Sequence, residues 1–210
     1  MKLHTYFRSS AAYRVRIALN LKGLPYEAVP VHLVKSEHQT AEYRAMNPSA
    51  LVPSFEDHGA TITQSMAIIE YLEETHKLVP LLPEDALGRA RVRELAMMIG
   101  CDIHPVNNLR VLRYLVRTLG IDDDAKNAWY RHWIAEGFGA LEAQLARGSG
   151  RFCVGDMPTI ADCFLVPQVY NAQRFDIDLA PYPNIVRIND ACAALPAFIA
   201  AHPAQQSDAE

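Results

Sequence analysis

The first 76 residues of this 210-residue chain alternate between short strand-like and helix-like stretches, and this order constrains the fold more than any other feature. Short, largely apolar runs at 2–7 and 26–33 predict two strands. A helical pattern lies between them, beginning at Ser10 and closed by Gly23. Because proline cannot donate a ladder hydrogen bond, Pro30 is expected at a sheet edge or a bulge.

A hairpin and a further helix complete this region. The stretches 52–57 and 60–63 flank Asp57-His58-Gly59, a combination typical of a tight β-turn. An amphipathic helix is predicted over 65–76. The full order is β-α-β, a polar connector and β-β-α. It indicates a small mixed sheet with helices packed against it, the α/β thioredoxin-like arrangement.

Beyond the stretch 77–88, whose two prolines indicate a linker, strand patterns almost vanish. Helical patterns cover 88–120, 122–148, 158–175 and about 183–201. Pro105 is expected to kink the first of these helices. Thr159 and Asp162 form a capping-box variant at the start of the third. We therefore expect an α/β domain at 1–80 and an all-α domain at 88–210.

Composition narrows the possible functions. The net charge of -4 and the absence of a basic stripe argue against nucleic-acid binding, although local arginines can still bind a small anion. The first ten residues are too polar for a signal peptide, and no apolar stretch reaches the length of a membrane span. We expect a cytoplasmic protein that does not bind membranes.

Four cysteines, at positions 101, 153, 163 and 192, show no CxxC pair and no metal-ligand spacing. Cys163 and Cys192 lie in apolar helical patterns, where cysteine usually behaves as a small buried hydrophobe. The histidines form no metal-binding pair either. We expect no metal site.

Several motifs carry a family resemblance. The segments "NPSALVPSFED" and "TITQSMAIIEYLEE" resemble the glutathione-binding half of the glutathione S-transferase fold. "SSAAYRVRIALNLKG", "CVGDMPTIADCFLVPQVYNAQRF" and "YPNI" resemble the zeta class, which includes maleylacetoacetate and maleylpyruvate isomerases. The resemblance covers essentially the whole chain. One departure is Ala11, which stands where the class typically has a cysteine.

The resemblance assigns Ser9 and Ser10, at the junction of the first strand and first helix, to the glutathione thiol. A hydroxyl donor and a helix N-terminus both favour a thiolate. The residues alone equally permit a simple helix cap, the common role of serine at such a position. Which hydroxyl lies nearer the sulfur stays open.

Further glutathione contacts follow from the same resemblance. Gln64 and Ser65, at a helix start, would bind the γ-glutamyl end, and Val52 would pair its backbone with the cysteinyl part. Pro53 is then expected to be cis. His38 would reach the glycyl carboxylate, although a lone loop histidine is commonly just solvated.

In the second domain, His104, Asn107 and Asn108 are predicted to share one face of a helix, as residues three or four apart do. Such a polar face suits a cleft wall, or alternatively a contact between helices or subunits. The resemblance places Asn108 near the glutathione cleft, and we expect His104 to be a further glutathione contact.

Arginines indicate the substrate class. Maleyl keto acids carry two carboxylates, and the arginine fork matches a carboxylate bidentately. Arg8 precedes the serines, and Arg174 lies in "NAQRF", a motif that the resemblance links to a substrate carboxylate. Arg110 is a further candidate without a matching motif.

The resemblance, with these residues, implies a glutathione-dependent cis–trans isomerase of a maleyl keto acid. It also implies a homodimer, with helices 88–120 and 122–148 supplying much of the interface. The choice between maleylpyruvate and maleylacetoacetate stays open. The alternatives are a glutathione transferase or dehalogenase that acts on α-haloacids, and a non-catalytic scaffold. A thioredoxin-type oxidoreductase is disfavoured, because the junction has no thiol.

Overall fold

The structure is a computed structural model that describes all 210 residues. The nine α-helices are α1 (Ser10–Leu21), α2 (Ala41–Met46), α3 (Ser65–Thr75), α4 (Ala86–Met97), α5 (Leu109–Arg117), α6 (Asp123–Gly148), α7 (Ile160–Arg174), α8 (Pro183–Ala193) and α9 (Pro196–Ala201). The four strands are β1 (Lys2–Thr5), β2 (Glu27–Pro30), β3 (Ser54–Asp57) and β4 (Ala60–Thr63). No helix combines the length and apolar character that a membrane-spanning segment needs.

The chain divides into two compact units. The first comprises Met1–Leu81 together with Ala193–Glu210, and the second comprises Leu82–Cys192. The sequence assigned all of 88–210 to the second domain, so residues 193–210 are grouped differently. The physical reason is that α9 packs against α1, a tertiary contact that leaves no local pattern.

The four strands of the first unit form one sheet in the order β2-β1-β3-β4. β2 runs parallel to β1, and the other two pairings are antiparallel. Pro30 lies on the edge strand β2, as predicted. The hairpin is also confirmed: His58 and Gly59 connect β3 to β4 with φ of 47° and 79°. Two successive positive φ values are typical of a type I′ turn, whose twist matches that of the strands.

Helix α2 lies within the polar connector, where no helix was predicted. Its N-cap is Thr40, whose hydroxyl accepts a hydrogen bond from the Tyr43 N–H at 3.2 Å. A six-residue helix with only one buried side chain has no clear apolar periodicity. The sequence pattern therefore could not reveal it.

An ion pair between Lys22 and Glu73 fixes the chain where it leaves α3. The two side chains are 1% and 9% exposed, with Nζ and Oε2 2.7 Å apart. Lys22 also donates to the carbonyls of His76 and Val79, and Glu73 accepts from the Leu81 N–H. Because both charges have several hydrogen-bond partners, their burial is compensated.

The second unit is helical, as expected, but the prediction that 88–120 forms a single kinked helix is wrong. α4 continues into a π-helical turn at Met98–Ile103 and a 3-10 turn at Pro105–Asn107, and α5 then starts afresh. Pro105 has no N–H to continue the ladder, and its ring crowds the preceding turn. The helix predicted over 183–201 is likewise interrupted, at 194–195, and α9 begins at Pro196.

The predicted capping box at α7 is confirmed. The Asp162 carboxylate accepts the Thr159 N–H at 2.7 Å and the Thr159 hydroxyl at 2.8 Å. It also accepts the Cys153 N–H at 2.9 Å. Burial raises the pKa of Asp162, and these hydrogen bonds oppose that rise. One carboxylate thus joins the start of α7 to the loop before it.

We predict that Glu73→Ala lowers the free energy of unfolding by about 3–5 kcal/mol, because it leaves the Lys22 ammonium buried without its counter-ion. Urea denaturation followed by circular dichroism measures the change. Glu74→Ala, an exposed neighbour on the same helix, is the matched control and should change stability by less than about 0.5 kcal/mol. Equal effects of the two substitutions would contradict the importance of the pair.

Candidate active site

The turn between β1 and α1 carries the first candidate residues. Ser9 is the N-cap of α1, and its Oγ accepts a hydrogen bond from the Ala12 N–H at 3.2 Å. Because a hydroxyl has one hydrogen to donate besides its two lone pairs, this capping bond leaves the Ser9 O–H able to donate to a ligand. Ser9 can therefore cap α1 and donate a hydrogen bond to a ligand thiol at the same time.

Exposure separates the two serines. Ser9 is half-buried, whereas Ser10 is only 5% exposed and lies inside the first turn of α1. Arg8, immediately before them, is exposed, and its Cζ lies 4.8 Å from the centre of the Phe7 ring. The turn therefore presents one guanidinium and one partly accessible hydroxyl beside the positive end of a helix dipole.

Val52 and Pro53 form the second candidate segment. Their peptide bond is cis, as expected. Pairing of β3 begins at Ser54, so the sheet ladders do not use the backbone of Val52. The Val52 side chain belongs to a buried cluster with Tyr6 and Phe7. This cluster joins Val52 to the residues that precede Arg8.

Two polar side chains that the sequence did not single out hold the loop before Val52. Tyr43 donates its hydroxyl to the Leu51 carbonyl at 2.7 Å. Asn47 donates its side-chain amide to the same carbonyl, also at 2.7 Å, and to the Ser54 Oγ at 3.0 Å. Ala50 adopts a left-handed φ of 50° inside this loop. The only sequence signal was the Asn-Pro pair at 47–48, which is typical of a turn.

Gln64 and Ser65 form the third segment, at the start of α3. Gln64 is the helix N-cap and has φ of 73°, a left-handed conformation that strains a residue with a side chain. Strain of this kind is common where a backbone is shaped to hold a ligand. Ser65 is buried, and its hydroxyl accepts a hydrogen bond from Arg14 Nη1 at 3.3 Å. Arg14 thereby links α1 to the first turn of α3.

His38 lies in a short 3-10 turn at Glu37–Gln39 and is only 5% exposed. The alternative of a solvated loop histidine is therefore wrong. The turn itself ends in the N-cap of α2, where the Thr40 N–H donates to the Glu37 carbonyl at 3.2 Å. The structure thus places His38 inside the connector that leads to α2.

In the second unit, the predicted helix face of His104, Asn107 and Asn108 does not exist, because the chain changes helix type there. Asn107 is buried and donates to the Tyr130 carbonyl at 3.2 Å. Asn108 has an extended backbone and caps α5 by accepting the Val111 N–H at 3.1 Å. Asn107 therefore makes the contact between helices that the sequence left open as an alternative. His104 and Asn108 are half-buried.

The two remaining candidate arginines are exposed. Arg110 lies on α5, and Arg174 is the last residue of α7. The Cζ of Arg174 lies 6.0 Å from the Tyr170 ring centre and 5.9 Å from that of Phe175. Cation–π contacts of this length orient a guanidinium without occupying its N–H groups. Those groups can therefore still receive a carboxylate.

All four cysteines lie in the second unit, and only Cys101 is exposed. Cys153, Cys163 and Cys192 are buried, as expected for the last two. Burial raises the pKa of the Cys153 and Cys192 thiols, and the nearby Asp162 carboxylate raises it further. A thiol with a raised pKa is a poor source of thiolate. The first unit, which contains the β1–α1 turn, has no cysteine of its own.

Two family models match the chain. "Glutathione S-transferase, N-terminal domain" matches residues 1–74, and "Glutathione S-transferase, C-terminal domain" matches residues 121–200. A maleylpyruvate isomerase from Ralstonia sp is 53% identical over 99% of both chains. A probable maleylacetoacetate isomerase from Vibrio cholerae is 51% identical over 99% of this chain and 97% of its own.

Solved structures give the same result. A holo maleylpyruvate isomerase, described as a bacterial zeta-class glutathione S-transferase, matches with a TM-score of 0.98 at 52% identity and full coverage of both chains. A maleylacetoacetate isomerase from Methylobacterium extorquens AM1 with bound malonate and GSH has a TM-score of 0.97 at 40% identity, again with full coverage of both.

A third solved structure is a maleylacetoacetate isomerase from Anaeromyxobacter dehalogenans 2CP-1, bound to dicarboxyethyl glutathione and citrate. It has a TM-score of 0.89 at 48% identity, covering 100% of this chain and 97% of its own. The sequence matches and the structural matches thus agree along the length of the molecule. The chain belongs to the glutathione S-transferase family and, within it, to the zeta class.

Proposed function

We propose that this protein is a glutathione-dependent isomerase that converts a maleyl keto acid, maleylpyruvate or maleylacetoacetate, to its fumaryl isomer. One observation carries the proposal: a turn with an accessible hydroxyl and a guanidinium, but no thiol, in a chain similar over its full length to enzymes with this activity. Such a turn suits a reaction whose nucleophile comes from a cofactor and whose substrate is an anion.

The first unit has features that fit glutathione, an extended peptide with a carboxylate at each end. The backbone of Val52 lies outside the sheet ladders and can pair with an extended peptide. Gln64 and Ser65 begin α3, whose N-terminal N–H groups attract a carboxylate. We assign the γ-glutamyl end to this pair, the cysteinyl part to Val52 and the glycyl end to His38. His104 and Asn108 are proposed as further contacts.

Ser9 is the hydroxyl that we assign to the sulfur, in preference to the buried Ser10, which would support the turn. The chemistry that bound glutathione supplies is a thiolate, whose reversible addition to the maleyl double bond permits rotation about the resulting single bond. The Ser9 O–H and the N-terminal dipole of α1 favour the ionised sulfur, because a donor and a positive field both stabilise an anion. The protein itself therefore needs no nucleophile.

Arg8, Arg174 and Arg110 are proposed to bind the two substrate carboxylates. They also stabilise negative charge that develops on the keto acid, usually the largest contribution to catalysis. The related structures bound to malonate and to dicarboxyethyl glutathione support a dicarboxylate substrate. In this assignment, residues 1–80 bind glutathione, and the substrate-binding domain lies within 88–210 without residues 193–210, which belong to the first unit.

The proposal includes a homodimer in the cytoplasm. Exposed apolar side chains within 88–120, among them Tyr114, Val116 and Leu119, support an interface formed by this segment and 122–148. Four free cysteines support a reducing compartment, the setting in which thiols stay unpaired.

The first prediction is that turnover requires glutathione. Maleylpyruvate and maleylacetoacetate are each supplied with and without glutathione, and the loss of ultraviolet absorbance is followed. We expect isomerisation only with glutathione, and the ratio of the two rates identifies the preferred substrate. Turnover that ignores glutathione would overturn the mechanism. Activity on dichloroacetate alone would favour the haloacid alternative.

A second prediction separates the two roles of Ser9. Ser9→Ala and Thr40→Ala each remove an N-cap of the first unit and should each destabilise the protein by about 1 kcal/mol. Only Ser9→Ala should also raise the pKa of the bound glutathione thiol, measured by thiolate absorbance, and lower kcat by about 10-fold or more. If both variants lose activity equally, Ser9 is a cap and nothing more.

A third prediction concerns the substrate arginines. Arg174→Ala and Arg8→Ala should each lower kcat/KM for the maleyl substrate by about 10-fold or more, because each removes a charge-assisted bond to a carboxylate. Arg147→Ala, an exposed arginine at the end of α6, is the control and should leave the kinetics unchanged. Steady-state assays at saturating glutathione measure all three. Unchanged kinetics for Arg174→Ala would remove it from the site.

A further inference from the structure

The end of the chain returns to the turn that carries Arg8 and Ser9. Residues 201–210, here the C-terminal segment, start at the last residue of α9 and belong to the first unit. α9 itself packs against α1, where Asn20 donates its side-chain amide to the Ala197 carbonyl at 3.1 Å. The C-terminal segment therefore starts from a helix that is already anchored to α1.

Hydrogen bonds hold the turn between β1 and α1 through its backbone. The Ser9 N–H donates to the Tyr6 carbonyl at 2.9 Å, which closes the turn on itself. Arg16 Nη2 donates to the Phe7 carbonyl at 3.0 Å. The Phe7 N–H donates to the Asp208 Oδ2 at 3.0 Å. The two backbone groups of Phe7 thus have side-chain partners that are distant in sequence.

Arg16 ties the turn to the C-terminal segment. Its side chain is fully buried, and its Nε donates to the Ala201 carbonyl at 3.1 Å. The same guanidinium donates to the Thr5 hydroxyl at 3.0 Å, at the end of β1. One planar group therefore spans the strand, the turn and the last residue of α9, in a geometry that a flexible ammonium could not reproduce.

A second contact holds the segment further along. Glu210 Oε1 lies 2.9 Å from His32 Nε2. The His32 ring in turn lies 5.2 Å from that of Tyr6, at the start of the turn. Asp208 thus contacts the turn directly, whereas Glu210 reaches it only through the His32 ring.

We propose that the C-terminal segment is a positioning element for the reaction, and that Asp208 is its principal positioning residue. By holding the Phe7 amide, Asp208 fixes the backbone from which the Arg8 guanidinium and the Ser9 hydroxyl extend. The roles of Arg8 and Ser9 in this inference rest on the proposed function, whereas the contact between Asp208 and Phe7 does not.

Three variants of the full chain test the inference. Asp208→Ala removes the acceptor, Asp208→Asn keeps an oxygen that can accept the Phe7 N–H, and Ser207→Ala alters an exposed neighbour as the control. We expect Asp208→Ala to lower kcat/KM for the maleyl substrate by about 5- to 20-fold, at or below the lower end of the effect of losing a hydrogen bond to a charged group, because Asp208 acts on the reaction only through Arg8 and Ser9. Asp208→Asn should stay within about threefold of the parent, and Ser207→Ala should match it.

Amide hydrogen exchange at Phe7 provides a measurement that does not depend on activity. Protection should be strong in the parent protein, lost in Asp208→Ala and largely kept in Asp208→Asn. Unchanged exchange in Asp208→Ala overturns the contact, whatever the kinetics show. Lost protection with unchanged kinetics overturns the positioning role. A parent protein without turnover would contradict the proposed function, and the exchange data would still decide whether the segment holds the turn.

Discussion

The arrangement of the first unit depends on the hydrogen bonds of the buried Arg16 guanidinium. It donates to carbonyls of the β1–α1 turn and of Ala201 and to the Thr5 hydroxyl, so one side chain saturates acceptors from three parts of the chain. Removing this donor from its buried position would take a hydrogen bond from the Phe7 and Ala201 carbonyls, whereas the Tyr6 carbonyl would keep the Ser9 N–H. The turn is therefore part of the core, although the residues that it carries reach the surface.

Two helix N-termini provide the electrostatic basis of the glutathione site that we propose. α1 starts at the turn and α3 starts after the strained Gln64, and the positive end of each dipole favours an anion. Arg14, through its hydrogen bond to Ser65, adds a cation and a mechanical link between the two helices. An overall acidic protein can thus present locally positive sites, because short-range fields outweigh net charge.

Local chemistry made part of this structure predictable. The β-hairpin, the edge position of Pro30 and the capping box at α7 each depend on residues close in sequence, and all were confirmed. Features set by tertiary contacts were not predictable. α2 has little apolar periodicity, the break after α4 replaced an expected kink at Pro105, and the return of residues 193–210 to the first unit follows from contacts with α1. Within the candidate site, sequence motifs identified Ser9, Val52 and Gln64. The hydrogen bonds by which Tyr43 and Asn47 hold the loop before Val52 could not be predicted, because they join groups that only folding brings together.

The alanine at position 11 has a consequence for oxidative chemistry. Thiol–disulfide exchange requires a sulfur on each partner, and the first unit contains no cysteine at all, since the four cysteines lie at 101 and beyond 150 within the second unit. If oxidised glutathione binds at the β1–α1 turn, as the proposed function implies, the first unit has no cysteine with which it could form a mixed disulfide. A junction built from hydroxyl, guanidinium and methyl groups can also undergo none of the steps from thiol to sulfonic acid. Under oxidative stress this turn would therefore keep its chemical identity.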